Sequence, residues 1–223
     1  MNIRKILSVV GAMWWLSVAC ASSQEITVSL VPALQQHSAA LDAALRALRA
    51  GIQKDAKECA SNASGMGAVA IYHADIRKTI ETATLVALEV TGNSQCDGVH
   101  PSVYQYGIAY SIKDGKRLDL NAIYAVGRRE DGSLFLTDTS VGSVMKEYTR
   151  VNAGRPQCLD PSAFNNDYFM SKAFTMSIWP DGSLELYFDV PYVEAACLPP
   201  IRLNADVVAH FKDEKKASMY GLP

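Results

Sequence analysis

Cys96-Asp97-Gly98-Val99-His100-Pro101 concentrates more reactive chemistry than any other short stretch of this chain. A carboxylate placed near an imidazole can orient it, and an oriented imidazole is a general base. On that reading Asp97 and His100 are the candidate catalytic pair of a hydrolase. The same residues also spell a stapled turn, with Cys96 bonded elsewhere, Gly98 at positive φ and His100 held by a backbone carbonyl. No serine or cysteine sits in a recognisable nucleophile elbow, and an oxidised Cys96 cannot attack. The structural reading of the turn is therefore preferred.

Other reactive side chains are more scattered. His73 and Asp75 fall at a strand end, where a polar pair needs no function. Glu185 and Asp189 alternate with Leu184, Leu186 and Phe188, which predicts the solvent face of a hairpin; spacing alone sets neither acid opposite a second one, so a glycosidase is not supported. Tyr104, Tyr106 and Tyr110 share one face at a period of two and form a candidate platform for a carbohydrate or protein, with a core-and-rim role as the alternative. His37, His73, His100 and His210 lack ligand spacing and there is no C-x-x-C, so neither a metal nor another cofactor is expected. Asn62-Ala63-Ser64 is a sequon of a kind that also arises by chance.

The cysteines depend on compartment. Arg4 and Lys5, then the apolar run Ile6 to Val18, then Ala19-Cys20-Ala21 read as a signal peptide over residues 1–21. The run is short for a bilayer span, which needs roughly 20 apolar residues, and no later stretch is a transmembrane candidate. Cleavage after Ala21 is preferred; lipidation of Cys20 as a lipoprotein anchor is the alternative, with Ser17 departing from the usual lipoprotein pattern. An exported chain, secreted or periplasmic, meets an oxidising environment, so Cys59, Cys96, Cys158 and Cys197 are expected as two disulfides. Of three connectivities, Cys59–Cys96 and Cys158–Cys197 are preferred, because each closes a loop of about 40 residues within one half of the chain. The whole chain carries 21 basic and 23 acidic residues. Losing Arg4 and Lys5 leaves 19 against 23, a mildly acidic protein with no field for nucleic acid.

These features need elements to position them. Pro32 suits a first helical turn, and Leu34, Leu41, Leu45, Leu48, Ile52, Ala56 and Cys59 form one apolar stripe on a long helix. Ser61 to Gly67 reads as its break. Ala68–Ala74, Thr82–Thr91 and Val103–Ile112 read as strands, with Lys113-Asp114-Gly115-Lys116 as a tight turn. Glu130-Asp131-Gly132 marks another turn and Thr139–Tyr148 a short helix; residues 152–168 look irregular. Ala173–Trp179 and Leu184–Val190 flank Pro180-Asp181-Gly182 as the clearest hairpin, and Asn204 caps a short terminal helix to Phe211. The expected fold is α+β: one long N-terminal helix on antiparallel sheet with hairpins and a short C-terminal helix. Its expected organisation is a signal peptide (1–21), a helical lead-in (22–65) and an α+β domain (66–223) that forms one compact unit with the lead-in.

The order of these pieces resembles the RsiV-like C-terminal domain family. That family typically carries a Gly-Gly-Ala-His-Pro-like turn, then a strand reading Tyr-Asp-Leu-x-x-Gly-Lys and a Leu. Here Cys96 to Pro101 is followed by Tyr110-Ser111-Ile112-Lys113-Asp114-Gly115-Lys116-Arg117-Leu118. Asp181 to Phe188 and Pro191-Tyr192-Val193 resemble its late hairpin and the segment after it, so the likeness covers residues 66–211. Asp97, Val99 and Ser111 depart from the pattern. The resemblance implies an extracytoplasmic α+β domain with no catalytic residues to carry over. Its best understood member is a membrane-anchored anti-sigma factor whose outer domain binds lysozyme. This sequence shows neither a spanning helix nor a sigma-binding segment, so that signalling role is not expected. Binding of a lysozyme-like protein or a peptidoglycan-related ligand at the cell envelope is the function the resemblance implies. A cell-wall hydrolase using Asp97 and His100, and a periplasmic inhibitor or immunity protein, are the alternatives.

Overall fold

Ser38 opens the longest element. Its hydroxyl accepts a hydrogen bond from the Leu41 N–H at 3.0 Å, capping helix α1 (Ala39–Gly65) in the computed structural model, which describes residues 24–223. The proposed signal peptide and Cys20 lie outside those residues. α1 starts after Pro32 and Leu34, later than the apolar stripe predicts; Leu34 still packs on the core from the lead-in segment. It also runs through Ser61 to Gly65, where a break was expected. Ala63 there is fully buried and its carbonyl accepts the Met66 and Ala68 N–H groups, so packing overrides the weak helix propensity of Ser, Asn and Gly.

The first sheet is ordered β1-β2-β3-β4-β5. It comprises β1 (Glu25–Val28), β2 (Ile71–Glu81), β3 (Leu85–Gln95), β4 (Ser102–Ser111) and β5 (Arg117–Leu118). β1 runs parallel to β2 and the other neighbours are antiparallel. β3 is buried on both faces: Val86, Leu88 and Val90 join the core beneath α1, while Leu85 and Ala87 join a second core. That continuous apolar run fits a strand covered on both faces. Gly115, at φ 65°, closes the β4–β5 turn against the Ala40 carbonyl, where an added Cβ would stand at 2.4 Å.

The second sheet is ordered β10-β9-β8-β7-β6. It comprises β6 (Gly127–Glu130), β7 (Ser133–Leu136), β8 (Phe174–Ile178), β9 (Leu184–Phe188) and β10 (Ile201–Leu203). Phe174, Met176, Ile178, Leu184, Leu186 and Phe188 form its apolar side, and the core they belong to includes Val141, Val144 and Tyr148 of α2 (Asp138–Val151). Four shorter helices complete the chain: α3 (Asn166–Ser171), α4 (Tyr192–Ala195), α5 (Ala205–Ala209) and α6 (Glu214–Met219). Asn204 caps α5 by accepting from Val207 N–H at 3.0 Å. The C-terminal region thus holds two short helices where one was expected, and the fold is α+β.

The two sheets meet where β8 crosses β4. Gly107 presents its Cα to the β8 backbone, and a Cβ there would lie 2.1 Å from the Met176 carbonyl oxygen. No side chain fits, so glycine permits the approach. Disulfides join Cys59 to Cys96 and Cys158 to Cys197. The first ties α1 to the segment between β3 and β4. The second lies beside Asn152, whose side-chain amide donates to the Cys197 carbonyl at 3.1 Å.

Candidate functional site

The 96–101 segment folds on itself. Asp97 Oδ1 accepts from Val99 N–H at 2.9 Å and His100 N–H at 2.7 Å, and its Oδ2 lies 2.5 Å from His100 Nδ1. These contacts, led by the backbone N–H groups, hold the Asp97 carboxyl well below the usual carboxylate range. Gly98 takes φ 75° and packs against Ala68, and the Gln95 side chain donates to its carbonyl at 2.7 Å. The His100 side chain is 83 % exposed. Ser61, Ser94 and Ser102 line a shallow hollow beside it, but among the described residues no hydroxyl hydrogen-bonds its Nε2. The structure therefore joins Asp97 to His100 and leaves the pair without an engaged nucleophile.

The three tyrosines of β4 lie on the sheet face that α1 covers. Tyr110 is buried there, Tyr104 lies across Gly92 with its hydroxyl donating to the His73 carbonyl at 3.3 Å, and Tyr106 is half-buried. Burial raises the pKa of all three, to about 12 for Tyr106. Tyr110 thus belongs to the core, while Tyr104 and Tyr106 sit towards its open end. His73 reaches Glu25 of β1 at 3.4 Å, bridging β1 and β2 with Asp75 left exposed.

A cleft lined by several strands lies against the opposite face and the edge of β4. It has a volume of about 670 Å³ and is bounded by β4 and β5 on one side and by the start of β8 and the end of β9 on the other. Gln105, Arg117, Thr175 and Asp189 supply polar lining; Phe174 and Val190 supply apolar lining. Gly107 N–H donates to Thr175 Oγ1 at 3.0 Å where the walls converge. Asp119 pairs with Arg129 at 2.7 Å on the rim. Sequence reasoning overlooked these residues because five separate segments supply them. The one available signal was Gly107, an isolated glycine inside a strong strand pattern, which marks a close backbone approach.

Behind the cleft floor runs a polar seam between the sheets. Glu89, almost fully buried on β3, accepts from Arg77 Nε at 2.8 Å. Glu185 Oε2 accepts from Trp179 Nε1 at 2.8 Å and from the Tyr187 hydroxyl at 3.1 Å. Glu185 is thus half-buried in the seam, not on a solvent face; only Asp189 of the two acids is exposed. Burial, followed by the charges of Glu185 and Glu89, pushes the Tyr187 pKa far up. Thr79 and Ser177 close the seam through their hydroxyls at 2.7 Å. Each group has a partner, which marks the seam as structural polarity between packed sheets. Among the described residues, no group of three or more His, Cys, Asp or Glu side chains is placed to hold a metal ion, and no helix is long and apolar enough to cross a membrane.

No family model matches the sequence, and comparison with curated proteins gives no match. Among solved structures, a DUF3298 family member from Bacteroides fragilis is similar at 13 % identity and a TM-score of 0.48, over 80 % of this chain and 69 % of that one. A DUF3298 family protein from Pseudomonas aeruginosa is similar at 14 % identity and a TM-score of 0.44, over 65 % of this chain and 63 % of the other. This chain therefore spans about two thirds of the length of each. The two disulfides fit an extracellular or periplasmic setting.

Proposed function

We propose that this protein is a non-enzymatic binding domain of the cell envelope, acting outside the cytoplasm on a lysozyme-like protein or a peptidoglycan-related ligand. The observation that carries the binding role is the cleft beside β4, a concave surface with apolar walls and a few polar groups. The ligand class comes from the family resemblance described above. The 96–101 turn and the outer ends of Tyr104 and Tyr106 lie towards the same end of the first sheet and form the rim to test alongside the cleft.

The decisive measurement combines co-sedimentation with purified peptidoglycan sacculi and a lysozyme assay with the protein added. Retention on sacculi, or a dose-dependent change in lysozyme activity, is the expected result. Neither effect at micromolar protein rules out this ligand class. The hydrolase alternative has one observation in its favour, the direct contact of Asp97 with His100. It predicts release of muropeptides or reducing ends from sacculi by the wild-type chain, and loss of that release in His100→Ala.

A further inference from the structure

The first sheet ends on β4 for most of its length, because β5 pairs only with Ala109 and Tyr110. In an antiparallel ladder, alternate residues direct N–H and C=O to the same side. Ile112 N–H goes to the Thr84 carbonyl on the β3 side. Ser111 N–H goes instead to Lys116, and Gly107 N–H to Thr175 Oγ1, both away from β3. Odd-numbered residues of β4 therefore face outward. Among the described residues, the main-chain groups of Val103 and Gln105 have no hydrogen-bond partner on that outer side. Both residues line the cleft.

Sheet edges are normally blunted by charge, proline, a bulge or a cover. The segment Val103 to Gly107 carries no charge and no proline, and its register with β3 is continuous. Val103 is an exposed apolar residue. On the cleft lining, Arg117 and Asp189 have no ion-pair partner among the described residues, whereas Asp119 and Arg129 neutralise each other. A free donor–acceptor pair repeating every second residue, about 7 Å apart, is matched by a polypeptide backbone and not by a glycan. Arg117, set beside the Tyr110 hydroxyl, and Asp189 each lack a counter-charge among the described residues, and together they match a chain carrying both signs.

We propose that the outer edge of β4 at Val103 and Gln105 binds an extended segment of a partner protein by strand addition, with Arg117 and Asp189 meeting an acidic and a basic side chain of that segment. The proposal rests on the binding-domain reading and narrows its ligand to polypeptide. Its probe is a display library of linear twelve-residue peptides, presented to the full chain with both disulfides formed. Selected peptides are expected to bind roughly tenfold or more weakly to Gln105→Pro, which removes only an outward N–H. Methylating the backbone nitrogens of a selected peptide one by one is expected to abolish binding at every second position and spare those between. The scan decides the matter if Gln105→Pro does not fold. No selected peptide, unchanged affinity in a folded Gln105→Pro, or a scan without alternation overturns the proposal. If sacculi bind while peptides do not, strand addition fails and the envelope-binding reading stands. If peptides bind with the alternating signature while sacculi and lysozyme do not, the strand-edge site stands and that ligand class falls.

Discussion

The 96–101 turn and the β4 cleft make opposite use of their residues. The turn holds a cysteine, an aspartate and a histidine, yet Cys96 is bonded to Cys59 and Asp97 is saturated by its own neighbours. The cleft is built from Val103, Gln105, Gly107 and Thr175, none of them reactive, yet it presents main-chain groups that nothing in the described structure satisfies. Reactive residue types mark where chemistry is available, and hydrogen-bond accounting marks where capacity remains. In this molecule the two point to different places.

The largest test of that contrast is at the crossing of the sheets. Gly107→Val drives a side chain into the Met176 carbonyl, and is expected to cost about 4 kcal/mol or more, read as a collapse of the urea midpoint. A near-native midpoint would mean the sheets can part and the cleft walls are not fixed. Removing the Cys59–Cys96 bond by replacing both cysteines with serine is expected to cost about 3 kcal/mol. If the contrast holds, that variant binds cleft ligands normally once folded; lost binding in folded protein would tie the turn to the site.

Acid titration should give a smaller effect. The folded-state pKa of Asp97 is depressed, so its contribution to stability is present above its unfolded value near 4 and is lost as pH falls from there towards the folded pKa. Asp97→Asn should flatten that part of the stability–pH curve, measured by urea unfolding between about pH 5 and pH 2. An unchanged curve would show that the local contacts of Asp97 do not hold the turn. The smallest change is expected for His100→Ala, within about 0.5 kcal/mol of wild type because the side chain is solvent-exposed, and without effect on peptide binding at the β4 edge. A loss of cell-wall activity in that variant would invert the comparison and make the turn the working site.

Regular elements with strong local signals could be read without coordinates. The last hairpin combines alternation of Phe174, Met176 and Ile178 with Asp181-Gly182, and Gly182 takes φ 79° in its turn. The stripe on α1 predicted Leu41, Leu45, Ile52, Ala56 and Cys59 as buried. What escaped was of two kinds. β10, α4 and α6 are too short for a period to show, and their existence is set by packing. The cleft escaped because its walls come from β4, β5, β7, β8 and β9, and the packing of the two sheets, with its close approach at Gly107, brings them together. Glu185 was misjudged for a related reason: alternation predicts that it leaves the apolar face, but not that another sheet covers the face it enters.

The two disulfides are consecutive along the chain, Cys59 with Cys96 and Cys158 with Cys197, neither nested nor interlaced. A chain threaded into an oxidising compartment from its N-terminus offers these four thiols in pairing order. An oxidase that joins each newly arrived cysteine to the one before it builds both native bridges without a reshuffling step. The exception is Cys20, which precedes them all and would be the first thiol to meet Cys59. Were the proposed leader cleaved or Cys20 acylated, that competitor would be lost before Cys59 could pair with it.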